Sequence, residues 1–480
     1  MTTFDLIIIG TGFGASFYLY KYLQHAGPDA RVLVLERGSV HDTAWQVAER
    51  RNSEIDYNSA FVKQGLPEKS WRFNIGFGGG SNCWWACTPR MMPNDFRLNS
   101  RYGVGRDWPV SYDELEAYYQ EAEEIMAISG SDHGAPFPRS KPYPQPPHRF
   151  SDPDRLLKAA FPDAWFPQPT ARARVATTSR PACCANSICD LCPISAKFTI
   201  ANGLGDMYRD HRVTLLLQAE ALAIETAGGT ASGVVYRKDG AERTAQGDLI
   251  VLAANAMFNP FILTRSGLDH PLLGRRLHEQ VSIDVTVYFD GVDSGQGSTT
   301  ITGHGYMLYD GPHRARHGAC LIEGWNRPIF RNEPGRWRQI QRLKCIVEDL
   351  PQERNRVAVS SDHPAKPEVR FEARSDYALR GIAALDDALP KLLASLPVER
   401  LEIGRTLRDT EAHIQGTTVM GDDPTDSVID RNLVHHQVRN LLVMGSGAFP
   451  TGAPANPTLT ISALALRAAA HQHGHGGRPA

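Results

Sequence analysis

The chain has 480 residues, 42% of them hydrophobic, more apolar side chain than one ordinary core holds, so two lobes are expected. A formal net charge of −2 with no basic run argues against a nucleic-acid partner. No stretch approaches the roughly 20 consecutive apolar residues that cross a bilayer, so no membrane span is expected.

The opening MTTFDLIIIG has neither the basic segment nor the cleavage site of a secretory signal, and its apolar run reads as a first strand. By its own sequence the expected location is the cytoplasm, with the periplasm reached only in the company of a partner. Apolar Leu6 to Ile9, a glycine turn, a helical run from Ala15 to Gln24 and a second strand within Arg31 to Gly38 make a β–α–β unit. From Ser39 to Asn99 the pattern is irregular and rich in Gly, Asn and Trp, too long for a connection unless it binds something. Ser111 with Glu114 opens a capping box for a surface helix that ends near Gly130. The proline-rich stretch from Ser131 to Pro169 reads as mostly loop. Val213 to Thr226 and GVVYR read as strands, and Asp248 to Ala256 as a buried strand leading into a helix that ends near Gly267. Alternating runs between His278 and Arg374, VSIDVTVYF and EVRFEAR among them, predict an antiparallel sheet. The last 70 or so residues return to strand, glycine turn and helix.

The expected fold class is therefore α/β, a Rossmann-like dinucleotide-binding domain with a second α+β domain built on an antiparallel sheet. The expected division is 1–100 and 195–275 for the first two parts of the binding domain and 409–480 for its last. A helical and loop insertion at 101–194 holds a cysteine cluster, and 276–408 forms the substrate domain.

Gly10, Gly12 and Ala15 form G-x-G-x-x-A between a strand and a helix, with Phe13 and Gly14 inside the motif and Glu36 and Arg37 closing the next strand. Glycines here let the backbone approach a pyrophosphate held by free N–H groups at the helix N-terminus, while Glu36 can accept hydrogen bonds from a ribose. In NIGFGGGSNCWWACTPRMMPNDF, Asn74 to Phe96, consecutive glycines and small polar residues let a backbone lie against a flat ring. Gly79, Gly80, Ser81, Asn82, Cys83 and Trp84 are the candidates there. Ala219 and Ala254, in the later strand segments, are further cofactor-binding candidates. At the C-terminal end HIQGTTVMG begins at His413, Gly445 and Ser446 follow a strand, and Asn456, Pro457 and Thr458 open the last helix.

In this order and spacing the motifs resemble the glucose–methanol–choline (GMC) family of flavin oxidoreductases, from Asp5 to about Ala470. The resemblance implies FAD and oxidation of a sugar, polyol or other alcohol, with His413 and Asn456 as the catalytic pair. Hydride leaves a hydroxyl-bearing carbon only as the O–H proton leaves, so a base of pKa near neutrality is expected, with an amide to hold the oxygen. His435, His436 and the tail HQHGHGG read as surface or disordered histidines. Cys83 stands where the pyranose oxidase branch carries a flavin-linked histidine, which excludes a histidyl link at this position. A cysteinyl link and a non-covalent FAD beside a buried thiol both stay open. Asn255 replaces the family's usual glycine after the buried strand, at a position that can take positive φ.

Cys183, Cys184, Cys189 and Cys192 fall within RPACCANSICDLCP, half of the eight cysteines in fourteen residues. Iron–sulfur, zinc and free thiols are all open to such a group. The segment resembles the one in bacterial FAD-dependent sugar dehydrogenases of this family that holds an iron–sulfur cluster, with its last spacing one residue shorter. That resemblance implies a 3Fe–4S rather than a 4Fe–4S centre on Cys183, Cys189 and Cys192, with Cys184 nearby or as a fourth ligand. It further implies a dehydrogenase whose electrons leave through the cluster to a cytochrome or other carrier, in the company of a small subunit. The alternative is an oxidase that uses dioxygen, its cysteines structural, as zinc ligands or free thiols.

Overall fold

A computed structural model of the chain describes residues 3–474. Thr3–Ile9 turns at Gly10 into the helix Phe13–His25 and returns as Val32–Leu35, the predicted β–α–β unit. Gly10 adopts φ +99, and a Cβ there would lie 2.6 Å from the Ala253 carbonyl oxygen, so the turn requires glycine. The first sheet has seven strands. From edge to edge run Val213–Leu216, Val32–Leu35, Thr3–Ile9, Ala241–Leu252, Thr230–Lys238 and Glu220–Ala227, with Leu441–Val443 alongside Ala241–Leu252. Its centre is parallel and fully apolar, as a sheet covered on both faces must be. The helices Phe13–His25 and Tyr112–Met126 pack against the last helix, Thr458–Gly474.

The second lobe is a six-stranded antiparallel sheet in the order Val398–Ile403, Val281–Phe289, Ile340–Val347, Cys320–Trp325, Ile301–Leu308 and Trp165–Pro167. Part of one face is closed by the amphipathic helix Asp376–Leu393, which contributes Leu385, Leu389 and Leu393 to a separate core around Val285, Val287 and Cys345. A small third sheet joins Arg356–Val359 and Pro367–Phe371, antiparallel, to Val62–Gly65, parallel.

Three readings of local sequence are corrected. The helix capped by Ser111 ends at Met126 with Ala127 in the left-handed region, not near Gly130, and buries Tyr119 against the last helix. The stretch from Ser131 to Pro169 is mostly loop, as expected, with one helix, Asp152–Ala160, and an edge strand inside it. There Pro153 sits in the first turn behind the Ser151 cap, where proline starts helices rather than breaking them. EVRFEAR belongs to the small mixed sheet, not to the antiparallel one. His435 is buried, and its Nδ1 accepts from the Val438 amide in a turn. The end of the histidine-bearing tail, residues 475–480, lies outside the described residues.

Candidate active site

A cavity of about 900 Å³ runs between the two lobes. One end is walled by Gly10–Gly14, Glu36, Arg37 and Ala219, the middle by Gly79, Gly80, Cys83, Trp84 and Ala254, and the far end by His413 and Asn456. Gly445, Ser446, Pro457 and Thr458 also face it. Three predicted contact residues do not. Ala15 is buried on the core side of its helix, Ser81 hydrogen-bonds Gly78 O and the Ile200 amide, and the Asn82 amide donates to Phe77 O. These small polar residues hold the glycine loop in shape rather than lining the cavity.

The cradle fits a flat dinucleotide. A Cβ added at Gly12, Gly80 or Gly445 would meet no protein atom within 4 Å, so these positions face open space, while one at Gly79 would lie 3.1 Å from Gly12 Cα. The two glycine segments thus converge, which is what close approach to a pyrophosphate and ring demands. Glu36 is buried at the end of its strand and accepts from Thr11 Oγ1 (2.6 Å) and the Gly38 amide (2.9 Å). Burial pushes its carboxyl up, and these donors oppose that shift. Arg37 pairs with Glu220 at 3.3 Å. Asn255 takes φ +73, and its side chain accepts from the Met257 amide. Burial raises the Cys83 thiol, whose Sγ lies 3.6 Å from Gly80 O.

At the far end the two catalytic candidates meet: His413 Nε2 lies 3.3 Å from Asn456 Nδ2. The other ring nitrogen, Nδ1, lies 3.0 Å from Gln280 Oε1, and Gln280 Nε2 donates to the carbonyls of Ala453 (2.7 Å) and Ala455 (3.0 Å). With its NH₂ committed to two carbonyls, Gln280 can offer only an acceptor to His413. The imidazole therefore carries its proton on Nδ1 and presents a lone pair at Nε2. Asn456 Oδ1 is buried without a partner. Burial, and then the Lys344 ammonium, push His413 down to about 3, with the Glu323 carboxylate opposing. The expected pKa near neutrality is thus corrected for the free site, where the ring stays neutral because it is desolvated.

Glu279 fixes the loop that carries this histidine. Its Oε2 accepts from Thr410 Oγ1 (3.1 Å) and from the His413 amide (3.3 Å), and its Oε1 pairs with buried Lys69, which also donates to Asp409 O. Removing one partner of such a buried pair costs about 3–5 kcal/mol.

The antiparallel sheet supplies the remaining wall, and sequence reasoning missed most of it. Glu323 and Trp325 alternate toward the cavity, opposite Lys344 and Arg342 of the next strand, and Trp85, Arg327 and Arg408 complete it. Lys344 pairs with Glu411. Burial pushes the Glu323 carboxyl up, but His304, Lys344 and the Trp325 indole outweigh it and hold the group at about 2. The period-two alternation of CLIEGW was the available signal, without a way to tell which face met a cavity.

The cysteine segment borders the same cavity through Asp190 and Leu191. Cys183 Sγ lies 3.5 Å from Thr299 Oγ1 and Cys189 Sγ 3.3 Å from Thr300 Oγ1, whereas Cys184 is exposed. Burial raises the Cys189 thiol, and the nearby Arg172 guanidinium opposes this. Among the described residues no three His, Cys, Asp or Glu side chains come together to hold a metal ion. The thiols as arranged here do not fit a cluster.

Two family models described as GMC oxidoreductase match residues 155–282 and 351–465, together just over half of the chain. The chain is 27% identical to the fructose dehydrogenase large subunit of Gluconobacter japonicus over 97% of each chain. It is 28% identical to paromamine 6'-oxidase of Streptomyces fradiae over 97% of this chain and 90% of that one. Pyridoxine 4-oxidase of Mesorbium loti shares the fold, with a TM-score of 0.70 at 19% identity over 98% of this chain and 100% of that structure. No helix among the described residues is long and apolar enough to cross a membrane.

Proposed function

This chain belongs to the GMC oxidoreductase family and is an FAD oxidoreductase acting on CH–OH donors, and on that premise we propose that it is a dehydrogenase oxidising a hydroxyl of a sugar, polyol or other alcohol to a carbonyl. The observation that carries the reading is the fixed polarity from the Ala453 and Ala455 carbonyls through Gln280 to His413 and Asn456. FAD supplies the hydride acceptor. His413 Nε2 takes the hydroxyl proton as the C–H bond breaks, and its Nδ1–H stays on Gln280 Oε1, which supports the imidazolium that forms. Asn456 Nδ2, now beside Nε2, is placed to donate to the same substrate oxygen. Gly10 and Gly12 admit the pyrophosphate, and Glu36 is placed for the ribose. Anaerobic mixing of the oxidised holoenzyme with sugars, polyols and simple alcohols tests this: bleaching of the flavin by at least one of them is expected, and no bleaching by any would refute it.

The choice of acceptor is the finer part. An electron exit to an external carrier is supported by the cysteine spacing, by the loop's place at the cavity wall and by the name of a dehydrogenase large subunit among the relatives. The second reading, an oxidase with structural cysteines, is supported by the name of an oxidase among the relatives. Iron and acid-labile sulfide in anaerobically purified protein, with slow turnover in dioxygen and fast turnover with a one-electron acceptor, would support the dehydrogenase. Metal-free or zinc-containing protein with fast peroxide formation would support the oxidase.

A further inference from the structure

Three guanidinium groups that donate no hydrogen bond to protein among the described residues gather at the far end of the cavity, Arg327 and Arg408 in its wall and Arg342 beside them. Arg327 lies over two indoles, its Cζ 5.3 Å from the Trp85 centroid and 4.7 Å from that of Trp325, and has no carboxylate within the 4.0 Å of an ion pair. Arg342 and Arg408 share one carboxylate, Asp284, at 3.8 and 3.6 Å, both too long for a hydrogen bond. The Nε–H of Arg342 is buried without a hydrogen-bond partner, and that of Arg408 faces Asp284 Oδ1 beyond hydrogen-bond length. The three stand close enough to repel: Arg327 is pushed down first by burial and then by Arg342 and Arg408, with the Cys189 thiol and Asp190 opposing. Arg327 and Arg408 line the cavity that contains His413. Lys344 stands between, its charge felt both by His413 and, as a like charge, beside Arg408, but Glu411 neutralises it.

Asp284, Glu323, Glu411 and Asp190 answer these cations in number, but none of them hydrogen-bonds the guanidinium of Arg327, Arg342 or Arg408, so an anion would complete the group. An arginine flattened on tryptophan keeps its N–H edge free for the two-pronged contact that carboxylate and phosphate oxygens make. Resting on the hydroxyl oxidation proposed above, we infer that the substrate carries an anionic group, a carboxylate or a phosphate, which docks on Arg327 and Arg408 while the hydroxyl to be oxidised lies at His413 and Asn456. The indoles of Trp85 and Trp325 then face the carbon skeleton between the two ends.

Anaerobic titration of the oxidised holoenzyme with D-gluconate, D-glucose 6-phosphate and D-glucose tests the inference: the flavin absorbance difference reads the affinity of a compound that does not bleach the flavin, and the concentration dependence of bleaching reads that of one that does. At least one of the two anions is expected to bind about 10-fold or more tightly than glucose, the size of a lost charge-assisted contact, and the preferred anion tells carboxylate from phosphate. Arg327→Met and Arg408→Met should each erase most of that preference, and Arg408→Lys should recover part of it. Each variant is used only if its flavin spectrum and melting temperature match the parent. Equal affinity for all three compounds, or an equal loss for anions and glucose in the variants, overturns the inference. Flavin reduction by neutral compounds alone would leave hydroxyl oxidation standing and remove the anion site. Tight anion binding with no reduction by any alcohol would do the reverse.

Discussion

Gln280 Oε1 and His413 Nδ1 lie 3.0 Å apart, and because the Gln280 amide is held by two backbone carbonyls the bond can run only one way. The adjacent residue, Glu279, holds the His413 backbone, so two consecutive side chains fix both the tautomer and the position of one imidazole.

Gln280→Leu should lower the rate of flavin reduction by about 10-fold or more, since an Nδ1–H left without an acceptor lets the ring rotate and leaves the imidazolium unsupported. Gln280→Glu should raise the His413 pKa, because a carboxylate favours the charged ring. The acid limb of the pH profile then moves to higher pH. Anaerobic stopped-flow across pH 5 to 9 or so reads both effects: with His413 held at about 3 the parent shows no acid limb from this group in that range, the glutamate variant should show one, and its absence would remove Gln280 from this role.

His413→Ala should reduce flavin about 100-fold or more slowly, the scale of a positioned base, with FAD still bound through the glycine turns. Asn456→Ala should cost less, because it removes orientation but not the proton acceptor. A His413→Ala enzyme that is bleached by its substrate at the parental rate would take this histidine out of the mechanism.

Gly10→Ala and Gly12→Ala should fail in different ways. At Gly10 the new methyl meets Ala253 O at 2.6 Å and the backbone is held at φ +99, so the apoprotein itself should melt at lower temperature. At Gly12 nothing of the protein lies within 4 Å, so the apoprotein should keep its melting temperature while the methyl occupies cofactor space and FAD affinity falls. Calorimetry of the apo forms and FAD titration separate the two, and an apo Gly12→Ala as unstable as apo Gly10→Ala would contradict this account.

Acid should destabilise the fold well before the carboxylates as a class are protonated. Burial holds His148, His278 and His435 at about 4 and His413 at about 3, below the unfolded value near 6.5. Between those limits the unfolded chain binds more protons than the folded one, so stability falls as pH drops from about 6.5 toward 4. Asp95 and Asp349, raised by burial to about 6, work the other way over part of this window and offset some of the loss. A melting temperature lower at pH 5 than at pH 7 is expected, and one that rises on acidification would show that the two acids outweigh the four histidines.

The α/β class, the glycine turn at Gly10 and the antiparallel second lobe were legible because each rests on local chemistry, whereas His413 and Asn456 were reached only through the resemblance to a family. A strand followed by G-x-G-x-x-A needs no distant partner to be read, and alternating apolar residues announce a half-buried sheet wherever it packs. Gln280, Glu323, Lys344 and Arg327 carried no such mark. Their roles arise from which face of a strand meets the cavity and from residues more than a hundred positions away, as Gln280 is from His413 and Ala453. The Ser151-capped helix was hidden by prolines whose meaning depends on position within the first turn. The cysteine segment shows the converse: spacing brought four thiols together along the chain, but in the fold Cys183 lies beside Thr299 and Cys189 beside Thr300 while Cys184 is exposed. Side-chain chemistry is written in the sequence, whereas convergence of those groups on one point is a property of packing, set by contacts that only the folded chain makes.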